Sequence, residues 1–220
     1  MKTTRSMKLQ ALLVGAFLVA PASALAGTMF RFPMSMNPGQ CASGGCYVGA
    51  YKDLGGVKDW TCQGWTYYGH LGTDFSLAGG LPAMDAGVWV ISAASGTLES
   101  AVDGFYDRCL AWNKDDPNAN CGIRAANYMI LRHADNRRSK YFHLKKFSFQ
   151  YSVGANIPCG NWIAKAGSSG ASTGPHLHFE FSDPTWGTDD PYAATPGCGG
   201  TISLWTSQGS YQGLPGITCQ

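Results

Sequence analysis

Two histidines, His176 and His178, stand two positions apart in the run STGPHLHFEF. The run reads as a strand, on which successive side chains face opposite ways, so both imidazoles project from one face with Leu177 behind them. Imidazoles placed like this suit a metal ion with a base beside it, although an ordinary strand face accounts for a lone His-x-His as well. A second group sits in GHLGTDF, where His70 precedes Asp74 by four residues and Gly69 and Gly72 permit a tight path around them. A neutral imidazole and an anionic oxygen both suit zinc; taken alone, His-x3-Asp also arises by chance. His143 follows aromatic residues in a third run, YFHL, so four of the five histidines fall in three short segments. The fifth, His133, reads as structural or peripheral. Glu180, two beyond His178 on the same face, is either an acceptor for an imidazole N–H or an ordinary strand carboxylate. The chain has no His-Glu-x-x-His pattern to supply a glutamate base.

Strands and tight loops must position these groups. Glycine is abundant (29 residues), helix-forming runs are scarce, and short β-branched or aromatic segments alternate with turn signals, which predicts an all-β, mostly antiparallel sheet or sandwich with long loops. The expected strands are Val88 to Ala93, Gly96 to Val102, Tyr128 to Arg132, Ser139 to Leu144, Trp162 to Ala166 and His176 to Ser182. Between the second and third lies a long polar insert, Asp103 to Asn127, expected to form a flap along one wall of a groove. Gly170, Gly174 and Pro175 are expected to shape the turn before His176. The aromatic stretch DWTCQGWTYYGH leads into His70 and reads as a substrate floor or as core. The basic run RRSKYFHLKK reads as solvated strand ends or as a contact to a polymer.

Residues 1–26 combine basic Lys2, Arg5 and Lys8, an apolar stretch from Leu9 to Ala20 and a small-residue site ending at Ala26, the pattern of a cleaved secretory signal. The apolar stretch falls short of the ~20 residues that span a bilayer, and no cysteine follows the cut, so no membrane anchor is expected. Removing that segment takes away three of 16 basic residues and none of 14 acidic ones, leaving a net charge of −1 and no electrostatic case for nucleic acid as a partner. Four segments are expected: the signal (1–26), an irregular lead (27–65), the core (66–183) and a tail packed on it (184–220). All eight cysteines lie beyond the signal, and export makes disulfides the expected state. Eight cysteines allow 105 pairings; the favoured ones are Cys109 with Cys121, stapling the insert, and Cys198 with Cys219, tying down the tail.

From Tyr68 to Ser182 the chain resembles the lysostaphin-type zinc endopeptidases of peptidoglycan. HLGTDF matches their first ligand block, ISAASGTLES their Gly-turn strand pair, YFHL their central histidine block and GSSGASTGPHLHFEF their most specific block. The resemblance implies that His70, Asp74 and His178 bind one Zn2+ per chain, with His143 and His176 as catalytic residues beside the open position. Three protein ligands leave a fourth place for a water whose pKa falls toward 7. His143 and His176 are then suited to orient and deprotonate that water, stabilise the oxyanion and protonate the leaving amine. The implied activity is a secreted, monomeric endopeptidase, extracellular or periplasmic, acting on bacterial peptidoglycan peptides. Two other readings stay open: an inactive, envelope-binding relative, and a zinc D-Ala-D-Ala carboxypeptidase. The lead is expected either to cover the groove in part or to leave the enzyme active from the start.

Overall fold

Short runs that alternate a buried and an exposed side chain need partners on both edges, and the chain supplies them with an antiparallel sheet. The computed structural model describes residues 27–36, 40–41, 44–111, 121, 125–185 and 187–220; the expected signal segment and most of the tip of the polar insert lie outside them. Ten strands follow one another along the described residues: β1 (Cys46–Ala50), β2 (Thr73–Leu77), β3 (Trp89–Ile91), β4 (Gly96–Val102), β5 (Tyr128–Arg132), β6 (Arg138–Phe142), β7 (Asn156–Ile157), β8 (Trp162–Lys165), β9 (His176–Asp183) and β10 (Gly187–Asp189). One short helix, α1 (Gly80–Ala86), joins β2 to β3. The large sheet runs β1-β2-β9-β6-β5-β4-β7, with β10 on the free half of β9, and β3 and β8 form a small second sheet. Every pairing is antiparallel, and the all-β expectation holds.

All six expected strands are present, each within two residues of its expected ends. The expectation missed β1, β2, the two-residue β7, the short β10 and α1. The lead contains β1, and its Phe30, Phe32 and Met34 are fully buried. Phe30 meets Phe179 and Phe181 of β9 edge-on, at centroid distances of 5.7 and 5.6 Å, and Trp205 of the tail at 6.3 Å. Trp60 stacks on Tyr192 at 5.4 Å, and Tyr51 touches both rings. Lead and tail thus meet over one aromatic cluster, where each buried ring removes roughly 150–250 Å² from water.

Four disulfides close this arrangement. Cys109–Cys121 forms as expected. Cys198, however, pairs with Cys62 and Cys219 with Cys159, and Cys41 bonds Cys46. The expected Cys198–Cys219 bond would have closed the tail on itself; instead each tail cysteine is carried by the aromatic packing to a different part of the body. The base of the polar insert is docked as well: the Cys109 N–H donates to Ser168 O (2.9 Å) and the Phe105 N–H to Asn127 Oδ1 (2.8 Å).

One glycine decides how closely the segment before β2 approaches β9. A Cβ on Gly72 would sit 2.9 Å from His178 Nε2 and collide with the carbonyl oxygen of Phe179. Gly72→Ala should therefore lower stability by about 1–3 kcal/mol, whereas Gly174→Ala, with nothing within 4 Å of its Cβ, should stay within about 0.5 kcal/mol of wild type; urea midpoints compare the two. The same measurement ranks the bridges. Cys62–Cys198 spans 136 residues and Cys41–Cys46 only 5, so the double Ala variant of the first pair should lose more, by about 2–3 kcal/mol on the loop-entropy argument.

Candidate metal centre

The register of β2 and β9 sets Asp74 directly opposite His178 and Ser76 opposite His176. On the other flank of β9, Phe142 of β6 pairs with His178, and His143 is the next residue. Three adjacent strands thus bring two of the three histidine segments to one end of the sheet. His70 arrives from the loop before β2. That loop turns at Gly69, whose φ of +74° favours glycine, and it is tied down by Asp53, whose Oδ2 accepts from the Gly69 N–H (3.0 Å) and whose own N–H donates to His70 O (2.8 Å).

The arrangement fixes which ring nitrogens carry hydrogen. His70 Nδ1 donates to the carbonyl of Tyr51 (2.5 Å), which leaves Nε2 a lone pair. Glu180 Oε1 lies 3.2 Å from His178 Nε2, and Lys140 Nζ donates to Glu180 Oε2 (2.9 Å), so that with a metal at Nδ1 the one ring hydrogen of His178 sits on Nε2. His70 Nε2 and His178 Nδ1 lie 3.1 Å apart, and Asp74 Oδ1 lies 3.1 Å from the first and 2.8 Å from the second. All three side chains are buried. Three acceptors converging out of water repel one another unless a cation lies among them. Two imidazole nitrogens and one carboxylate oxygen are the donor set that zinc takes, so the residues fit such an ion. Among the described residues this is the one group of three ligand-type side chains with atoms close enough to share a metal.

The electrostatics agree with that reading. Burial raises the Asp74 carboxyl, but the adjacent imidazoles of His176, His178 and His70 outweigh it and hold the group well below the usual carboxylate range. Burial also works against charge on His178, and its bonds to Asp74 and Glu180 overcome it, lifting the imidazole to about 9. Positive charge is favoured at this point of the fold.

His176 and His143 lie beside the trio. His176 Nδ1 donates to Gly174 O (2.7 Å), and its Nε2 lies 3.6 Å from Asp74 Oδ1. His143 Nδ1 donates to Ser169 O (2.6 Å), and its ring centroid is 4.5 Å from that of His176. In both rings Nε2 remains as the free nitrogen. His143 has φ of +62°, a conformation that costs a non-glycine residue of order 1–3 kcal/mol and that collects at functional sites. Burial, reinforced by His176 and His178, pushes its imidazole well below the ordinary histidine value, so it is neutral at pH 7. His133 lies apart, with Nδ1 donating to Ser95 O (2.8 Å) and Nε2 2.9 Å from Ser139 Oγ.

Two contributors escaped the sequence reading. Tyr67 stacks on His70 at 4.2 Å and donates from Oη to Asp74 Oδ2 (3.3 Å); the aromatic stretch before His70 hinted at it without singling it out. Lys140 hid in the basic run, part of which is engaged within the protein: Lys140 holds Glu180, Arg138 pairs with Glu99 (2.5 Å) and Arg137 with Asp135 and Asp183 (3.4 Å each), while Lys146 at its far end is exposed.

Comparison with known proteins adds three findings. An uncharacterized metalloprotease of Haemophilus influenzae is 34% identical over 112 residues, 51% of this chain and 18% of that protein. The peptidoglycan DD-endopeptidase ShyA of Vibrio cholerae is 27% identical over 112 residues, 51% of this chain and 20% of that one. The chain thus spans about a fifth of the length of these curated relatives. The solved catalytic domain of lysostaphin from Staphylococcus simulans is 26% identical with a TM-score of 0.39, over 66% of this chain and 86% of that domain. Residues 68–189, which hold all five clustered side chains, match the description Peptidase family M23, and the chain belongs to that family.

Proposed function

We propose that this chain is a zinc-dependent endopeptidase that cuts peptide cross-links or bridges of bacterial peptidoglycan. The observation that carries the reading is the convergence of His70 Nε2, Asp74 Oδ1 and His178 Nδ1 within 2.8 to 3.1 Å, next to two further imidazoles with free Nε2 atoms. The relatives named as a metalloprotease and as a peptidoglycan endopeptidase support the substrate class. The four disulfides support export to an extracellular or periplasmic compartment, with residues 1–26 as the signal. No helix among the described residues is long and apolar enough to cross a membrane.

In this reading His70, Asp74 and His178 hold the zinc ion. When bound, zinc supplies Lewis acidity, polarising a carbonyl and lowering the pKa of a coordinated water toward 7. The chain's own residues handle the protons. Neutral His143 is ready to accept a proton at Nε2 because its Nδ1–H is already committed to Ser169 O. His176 is oriented in the same way by Gly174 O, with Nε2 toward Asp74, and serves either to take the proton or, once charged, to stabilise the oxyanion and protonate the leaving amine. Glu180 keeps hydrogen on His178 Nε2 and so keeps Nδ1 available as a ligand atom.

Three variants separate these roles. His70→Ala should lose both stoichiometric zinc and hydrolysis of purified cell-wall cross-links. His176→Ala should keep zinc, measured by elemental analysis, and lose nearly all hydrolysis; full activity in either variant contradicts the assignment. Glu180→Gln should remain folded and weaken zinc affinity about 10–100-fold, read by chelator competition. Mass analysis of the new termini released from walls of different cross-link chemistry identifies the bond, and a protein that purifies without stoichiometric zinc and leaves every wall intact would instead be an inactive binding relative.

A further inference from the structure

Away from the metal centre, the small β3–β8 sheet carries a stack of aromatic rings that the reaction does not use. Trp89 and Trp162 lie nearly parallel, 5° between planes and 5.0 Å between centroids, and Lys165 Nζ sits 4.8 Å from the centre of the Trp89 ring. Trp162 is still 47% exposed. One indole face is thus backed and held while the side chain borders a shallow, open cleft of about 450 Å³. The rest of the cleft is lined by Gln150, Tyr151, Gly160 and Asn161, with no charged side chain among them. Tyr151 Oη accepts from Asn161 Nδ2 (3.0 Å) and Gln150 Nε2 donates to Ser148 O (2.8 Å), so the polar rim is ordered too.

We infer that this cleft is a second binding site that takes a sugar ring of an N-acetylated amino-sugar strand, the glycan of the wall polymer, stacked on Trp162. The chemistry is that of a polyhydroxylated ligand: a flat, pre-positioned ring for the apolar face of a pyranose, surrounded by amide and hydroxyl groups, with the Arg31 guanidinium beside Gly160 as a nearby charge. Trp162 lies in β8, and five residues further on the Gly167 carbonyl accepts from the His176 N–H (3.1 Å), so the ring and the histidine cluster are carried by segments that are hydrogen-bonded to each other. The choice of this glycan rests on the function proposed above; the existence of the platform does not.

Binding is to be measured by calorimetry and co-sedimentation with two probes that contain no peptide: soluble N-acetylglucosamine oligomers, and wall glycan stripped of its stem peptides. The wild type should bind both, Trp162→Ala should bind about tenfold or more weakly, and Trp162→Phe should recover part of the loss, with circular dichroism showing both variants folded at the temperature of the measurement. Equal binding by Trp162→Ala overturns the inference, as does a wild type that binds only peptide-bearing wall, which would make the occupant a peptide. Because the probes hold no cleavable bond, the result does not depend on catalysis. Strand binding without any cross-link hydrolysis would count against the proposed function alone.

Discussion

The structure turns on the pairing of β2 with β9, which sets Asp74 across from His178. Cross-strand neighbours on one face lie about 4.5–5.5 Å apart at Cβ, close enough for a carboxylate and an imidazole to reach a common ion without either leaving its strand. A slip of one residue would send His178 to the opposite face and put apolar Leu177 or Phe179 at the centre. Leu177 and Phe179 are fully buried, so the same apolar contacts that fix the register also place Asp74 and His178 together, with His70 as the part supplied by a loop.

Around that pairing, the protein spends backbone carbonyls and one ion pair on orientation. Tyr51 O, Gly174 O and Ser169 O each take the Nδ1–H of one histidine, and Glu180, itself held by Lys140, takes the Nε2–H of His178. Three of the four acceptors are main-chain atoms, whose positions are set by the fold and not by side-chain rotamers. This matters for imidazoles that would hold a metal, because a neutral ring has two tautomers and only one presents a lone pair inward. The left-handed conformation at His143 belongs to the same device: after five regular residues of β6 the chain must turn one imidazole toward its neighbour on β9, and a strand geometry would have sent it elsewhere.

How much of this could be seen in the letters follows from the range of each interaction. Strands such as Gly96–Val102 and Tyr128–Arg132 carry their own alternation, and the four clustered histidines lie in motifs that match a family block by block. β2 was harder, because Thr73–Leu77 contains Asp74 of the HLGTDF motif and is buried at four of five positions, so it reads as a motif and not as an alternating strand. Lys140 and Tyr51 act through contacts 40 and 19 residues away in sequence, and nothing local marks either. The bond from Cys62 to Cys198 is the same problem at 136 residues: it depends on the tail crossing back over the lead, a path set by Phe30, Tyr192 and Trp205 packing together. Cys109 and Cys121 were legible because they close one local loop.

The placement of those aromatics and bridges has a physical logic. A centre made of a buried carboxylate, imidazoles and close-approach glycines is a poor source of stability: its polar groups lose hydration, Gly72 and Gly69 add backbone freedom to the unfolded chain, and His143 is strained. None of these can be relaxed without moving a side chain of the cluster. Compensation must come from elsewhere, and it is found where lead and tail meet over β9, in rings from Phe30 to Trp205, and in cross-links that fasten those terminal segments to the body. Cys62–Cys198 joins the segment just ahead of His70 to the tail, and Cys159–Cys219 joins the tail's end to the start of the strand bearing Trp162. The terminal segments, with one strand each, thus stabilise the very elements whose local sequence is constrained by the site.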